Sequence, residues 1–237
     1  MKKAFVISDI HGCYDQLMIL LEHWDKEMEL VILGDLIDRG DKSLKVVQQM
    51  MNLIETYGDK ITVLKGNHED MFLNFLDDPI ECGRMYDMVG GGETIISFVD
   101  DSSIMKRDII DISRVVQQKA SREVAYIKKL PLYYEFGDVL FVHAGINPLF
   151  SDWRNSSEND FMWDREMIRH KNETGLTIVF GHTPTRMLRE DTNNNDIWVS
   201  RDGSYIGIDG GCVFGGQLNA IVINEKGVIL EHYSVKG

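Results

Sequence analysis

The sequence predicts an α/β fold. Three features of the 237-residue chain predict it. The first third alternates short apolar runs, polar loops and stretches with helical spacing, the order of an α/β unit. Residues 77–131 then lose every strand signal longer than a few residues and read as a mainly helical insertion. From Pro131 onward, strand-like runs follow one another between turn signals.

Ala4–Ile7 is the first apolar run and reads as a strand. Asp15–Trp24 follows with Leu17, Leu20, Leu21 and Trp24 at helical spacing. Leu30–Leu33 is continuously apolar, as expected of a strand covered on both faces. Ser43–Tyr57 carries Leu44, Val47, Met50, Met51 and Ile54 on one stripe, and Gly58 is its stop signal. Ile61–Leu64 is the third strand and Asp70–Leu76 the next helix. Within the insertion, Glu93–Val99, Lys106–Gln118 and Arg122–Leu130 have helical pattern, and Gly90-Gly91-Gly92 reads as a tight turn before a helix. Leu132–Phe136 and Val139–Val142 flank Gly137-Asp138, a hairpin signal. Thr177–Phe180, Ile197–Ser200, Tyr205–Ile208, Leu218–Ile223 and Val228–Ser234 complete the strands. No repeat or linker interrupts the chain, so one domain is expected over residues 1–237.

The formal net charge is −13. A general nucleic-acid-binding surface would be basic, so that role is excluded. Phosphate substrates are not, because bound divalent ions reverse the local field. Cys13, Cys82 and Cys212 are odd in number and form no C-x-x-C pair, which fits reduced thiols in a cytoplasm. Cys13 beside the first loop is expected to be a half-buried spacer. Met1-Lys2-Lys3 precedes an apolar run too short for a signal peptide or membrane span, so a soluble protein without membrane association is expected.

Chemistry concentrates where strands end. Asp9-Ile10-His11-Gly12, Gly34–Gly40, Gly66-Asn67-His68-Glu69, His143 and His182 each follow one of five strand-like runs. Asp9 and His11, two apart after a strand, are expected to point the same way and share one ion. Asp35 can bridge two ions through its two oxygens, with Asn67, His143 and His182 supplying amide and imidazole donors. This mixed set favours divalent ions of the Mn²⁺, Fe or Zn²⁺ type over all-oxygen Mg²⁺ cages without choosing among the three, and two Mn²⁺ ions are the expected pair. Such a pair lowers the pKa of a shared water, and a metal-bridging hydroxide is the expected nucleophile. Arg39, four residues after Asp35, can reach a phosphate on the metals with its planar fork. His68, paired with Asp38, would be held as an imidazolium and act as general acid. His23, His170 and His232 match no motif.

These segments resemble the metal-dependent phosphoprotein phosphatase family, with its signatures G-D-x-H-G, G-D-x-x-D-R-G and G-N-H-E, and most of all its bacteriophage lambda and bacterial branch. Trp163–Glu166, Gly181–Pro184 and Ile208–Gly216 extend the likeness over nearly the whole chain. The resemblance implies a calcineurin-like metallophosphoesterase sandwich, two mixed β-sheets packed together and flanked by helices. By it, Asp9, His11 and Asp35 would hold one metal, and Asp35, Asn67, His143 and His182 the other. His68 and Asp38 would form the acid dyad, and Arg39 and Arg165 would bind phosphate, Arg165 on the likeness alone. The chain departs from the pattern at Ser8, at Lys65 and at Ala144. A serine/threonine protein phosphatase, acting on phosphorylated proteins or small phosphoesters, is the expected activity. The alternative is a hydrolase of symmetrical dinucleoside tetraphosphates, whose members carry a stretch similar to Gly210–Gly216. Chain length and Trp163–Glu166 favour the phosphatase. A non-catalytic metal-binding module would need neither His68 nor Arg39.

Overall fold

The computed structural model describes residues 1–237. Ten strands form two five-stranded sheets. The first half supplies β1 (Lys3–Ile7), α1 (Tyr14–Leu21), β2 (Glu29–Ile32), α2 (Ser43–Tyr57), β3 (Ile61–Val63) and α3 (Asn67–Asp77). Four helices follow: α4 (Pro79–Met88), α5 (Gly91–Val99), α6 (Ile109–Lys119) and α7 (Ser121–Ile127). The remainder is β4 (Tyr133–Phe136), β5 (Val139–Val142), α8 (Glu158–Trp163), β6 (Thr177–Phe180), β7 (Trp198–Val199), β8 (Tyr205–Gly207), β9 (Gln217–Asn224) and β10 (Ile229–Lys236).

The first sheet has the order β10-β9-β1-β2-β3, and the second β4-β5-β6-β8-β7. Both are mixed. β1, β2 and β3 run parallel while β9 and β10 pair antiparallel. β5, β6 and β8 run parallel with antiparallel edges β4 and β7.

The continuous apolar strands have both faces covered. In β1, Ala4 and Val6 face the second sheet and pack with Val139, Phe141, Val179 and Ile206. Phe5 and Ile7 face outward into the larger cluster beneath α1 to α7. On the far side, Leu140, Val142, Ile178 and Phe180 pack against Trp153, Phe161 and Met167. This alternation sets the register, since a one-residue slip would exchange the two layers.

The structure corrects several expectations. α3 begins at Asn67 rather than Asp70, because the Glu69 side chain accepts the Gly66 N–H and caps the helix earlier. α4, absent from the sequence reading, starts at Pro79 with Asp78 accepting the Glu81 N–H. α8 is also additional and starts in a capping box between Ser157 and Asp160. No helix is long and apolar enough to cross a membrane.

Candidate active site

The parallel strands β1, β2, β3, β5 and β6 deliver their following loops to one end of the sandwich. There Asp9, His11, Asp35, Asn67, His68, His143 and His182 are all buried. The loops are not ordinary. Asp9, His11, Asp35, Asp38, Arg39 and His182 all have positive φ, between 45° and 72°. This overturns the expectation that strand alternation aligns Asp9 with His11. β1 ends at Ile7, and both residues reach the site through left-handed backbone.

Asp35 stands at the centre. Its Oδ2 lies 3.4 Å from His11 Nε2 and its Oδ1 lies 3.4 Å from His143 Nε2. Its donor atoms therefore belong to two clusters at once, one with His11 and His68 and the other with His143 and His182. Each inner imidazole is oriented by its other nitrogen. His11 Nδ1 donates to the Ile37 carbonyl and His143 Nδ1 to the Leu33 carbonyl, both at 2.8 Å. Both Nε2 atoms are left to face the site. Asn67 Oδ1 lies 3.0 Å from His143 Nε2, and the buried His182 Nε2 has no hydrogen-bond partner. The Asp9 carboxylate accepts the His182 N–H at 3.0 Å and the Ser8 hydroxyl.

The electrostatics ask for cations. Burial, followed by the charge of Asp209, pushes the Asp9 carboxyl well up against the opposing pull of the Ser8 hydroxyl, the His182 N–H and the Arg39 charge. Burial followed by the charges of Asp9 and Glu69 does the same to Asp35. Burial pushes His143 down to about 3 and His182 to about 2, and holds His11 well below its usual range. Neutral imidazoles beside destabilised carboxylates, with one orphaned ring nitrogen, fit divalent metal ions of the Mn²⁺, Fe or Zn²⁺ type.

His68, a member of the first cluster, also pairs with Asp38. Its Nδ1 is 2.7 Å from Asp38 Oδ2, and both side chains are buried. Burial lowers the His68 pKa, and the Asp38 carboxylate opposes that by hydrogen bond and by charge. Asp38 is itself gripped by the helices after β3. Tyr86 Oη donates to Asp38 Oδ1 at 2.6 Å, and Thr94 Oγ1 donates to the same oxygen at 2.7 Å while accepting the Asp38 N–H. The Gly90–Gly92 run serves this grip. A Cβ on Gly91 would lie 2.4 Å from the Tyr86 ring, and the Gly90 carbonyl accepts the Arg39 N–H.

Arg39 Nη1 reaches to 2.5 Å from His11 Nε2. Arg165 follows α8 on an exposed turn and donates to Thr183 Oγ1 at 3.1 Å. Spacing alone could not bring Arg165 here; α8 does so by packing Phe161 and Met162 inward. Three further groups went unassigned. Glu69 accepts the backbone N–H groups of Asp35, Leu36 and Gly66 at 2.8–2.9 Å and so welds two loops together. Its position three residues after Gly66 was the available signal. Asp209, buried, accepts the Gly211 N–H and is pushed to about 6 by burial. Tyr86 lies in a helix that the sequence did not reveal.

Comparisons with known proteins agree with this geometry. The family model described as calcineurin-like phosphoesterase matches residues 2–215. The chain is 26% identical to the asymmetrical bis(5'-nucleosyl)-tetraphosphatase PrpE of Anoxybacillus flavithermus, across 91% of this chain and 88% of the relative. A solved structure provisionally named a diadenosine tetraphosphatase superposes with TM-score 0.68 at 20% identity, covering 100% of this chain and 94% of that one. A protein serine/threonine phosphatase from Saccharomyces cerevisiae superposes with TM-score 0.57 at 15% identity, over 100% and 80% of the two chains. At these identities the structural likenesses speak for the fold alone.

Proposed function

The chain belongs to the calcineurin-like phosphoesterase family, and from that premise we propose that it is a dimetal hydrolase of dinucleoside polyphosphates that cuts them asymmetrically. The observation that carries hydrolysis is the shared Asp35, with one oxygen 3.4 Å from His11 and the other 3.4 Å from His143, beside the His68–Asp38 pair. The substrate class rests on the PrpE relatives, whose similarity runs over nearly the full length of both chains. This reverses the preference drawn from the motifs, which placed a protein phosphatase first and a symmetrical dinucleotide hydrolase second.

Asp9, His11 and Asp35 would hold one metal ion, and Asp35, Asn67, His143 and His182 the other, with Mn²⁺ as the first candidate. When bound, such a pair withdraws charge from the phosphate oxygens and makes a water acidic enough to attack near neutral pH. The chain's own residues do the rest. Arg39 and Arg165 grip non-bridging oxygens in their planar forks. His68 presents Nε2 to the leaving oxygen, while Asp38 holds its Nδ1–H and fixes the ring. Glu69 keeps the Asp35 and Asn67 loops in register.

One observation favours a second reading. A buried, doubly supported acid dyad matters most for a poor leaving group such as the serine or threonine alkoxide of a phosphoprotein. The deciding experiment compares kcat/KM of the Mn²⁺-loaded protein on diadenosine tetraphosphate and on a phosphothreonine peptide, with product analysis of the former. Preference for the dinucleotide with ATP and AMP as products is expected. ADP alone would overturn the asymmetry, and preference for the peptide would overturn the substrate class.

A further inference from the structure

We infer that Phe214 and Arg186 form a nucleoside polyphosphate subsite beside the reacting phosphate, with Phe214 stacking the base and Arg186 holding a second phosphate. This inference rests on the dinucleoside polyphosphate reading for its biological substrate, but its geometry is independent of it. Phe214 is 55% exposed although it lies at the edge of a buried catalytic cluster. The Arg39 guanidinium carbon lies 5.0 Å from its ring centroid and that of Arg186 lies 6.0 Å away. Arg39 also touches His11, so a single guanidinium separates the ring from the ligand cluster.

The platform is built rather than loose. Phe214 ends a 3-10 turn, Cys212–Phe214, whose flanks Gly211 and Gly215 have φ of 66° and 77°. Cys212 is buried and anchors the turn, while Gly211 N–H is held by Asp209. The Asp209 carbonyl accepts the Thr185 N–H, which ties the Phe214 loop to the turn that carries Arg186. A Cβ on Gly211 would stand 3.2 Å from Arg186 Nη1, where its φ of 66° already disfavours a side chain. Glycine here lets the guanidinium lie close over the backbone.

The charge pattern points to a polyanion. None of the twelve ion pairs in the chain uses Arg39, Arg165 or Arg186. All three lie close enough to lower the pKa of Asp209. A chain of net charge −13 thus gathers three guanidinia without a carboxylate partner around one site. One phosphoryl group needs the metals and one or two arginines. A third arginine next to an open aromatic face matches a second phosphate followed by a base, since any nucleobase can stack on a ring without sequence-specific hydrogen bonds.

The test uses the Mn²⁺-loaded protein and its Phe214→Ala, Phe214→Trp and Arg186→Ala variants. Inhibition of p-nitrophenyl phosphate hydrolysis by ATP and by inorganic tripolyphosphate is measured at constant free Mn²⁺. In the wild type, ATP should inhibit about tenfold or more better than tripolyphosphate, the share of the base. Phe214→Ala should erase that advantage and Phe214→Trp should keep it. Arg186→Ala should weaken ATP and tripolyphosphate alike by about 10–100-fold, and more than inorganic phosphate. Equal inhibition by the two compounds in the wild type, or an ATP advantage that survives Phe214→Ala, overturns the subsite. If the ATP advantage behaves as expected but diadenosine tetraphosphate is not cleaved, the subsite stands and the substrate reading falls. If the dinucleotide is cleaved without any ATP advantage, the reverse holds.

Discussion

Asp38→Asn should separate the acid from the metals. The Asp38 carboxylate lies 2.7 Å from His68 Nδ1 and offsets the burial that lowers the His68 pKa. Asparagine keeps the shape and can still accept from Tyr86 and Thr94, but it loses the charge facing the ring. A buried charge-assisted hydrogen bond is worth about 1.5–3 kcal/mol. Losing it lowers the imidazolium pKa further and makes the ring a poorer proton donor. The rate with leaving groups that need a proton should therefore fall about 10–100-fold, while 4-nitrophenol, which leaves readily as an anion, should suffer little. The assay is kcat/KM across aryl phosphates of graded leaving-group pKa, with metal content measured alongside. The dependence on leaving-group pKa should steepen at constant metal content. A uniform loss across the series, or a loss of metal, would refute the dyad.

Glu69 is pushed from 4.5 to about 7 by burial, against the pull of three backbone N–H groups. The folded metal-free protein then binds a proton that the unfolded chain has released, so its stability should fall as pH rises from about 4.5 to 7, and a denaturant series should show Glu69→Gln flattening that slope. Asp35→Asn should weaken both metal positions together, which elemental analysis checks; two tightly held ions and near-normal kcat would remove its bridging role. Arg165→Ala should lower kcat/KM about 10–100-fold and weaken phosphate inhibition without changing metal content, with Arg165→Lys recovering only part, because the fork is lost.

The strands were legible because their period is simple. Val139–Val142 and Thr177–Phe180 lie in the structure where the apolar runs put them, and α2 spans Ser43–Tyr57 as its stripe requires. α4 was not legible. Ile80, Met85 and Met88 are exposed, so its hydrophobic positions do not trace a buried face. The N-terminal turn of α3 was hidden for another reason: Asn67 read as a loop ligand and His68 as a loop acid, and only the Glu69 cap shows that the helix has already begun.

The candidate site was legible as residue types but not as backbone. Six of the seven non-glycine residues with positive φ are Asp9, His11, Asp35, Asp38, Arg39 and His182. Each such conformation costs on the order of 1–3 kcal/mol and persists only where its surroundings hold it. Here the holders can be named. Glu69 clamps Asp35 and Leu36, and the Gly90 carbonyl, Tyr86 and Thr94 clamp Asp38 and Arg39. Two of these holders, α4 and α5, lie in the helical stretch that looked from sequence like an appendage between ligand-bearing strands. Its contacts assign it a different task. It keeps a strained turn in the one arrangement in which Asp38 can face His68 while Arg39 faces the ligand cluster. Strain of this kind has no sequence period and leaves no motif of its own, since the residues that bear it are far in sequence from those that hold it.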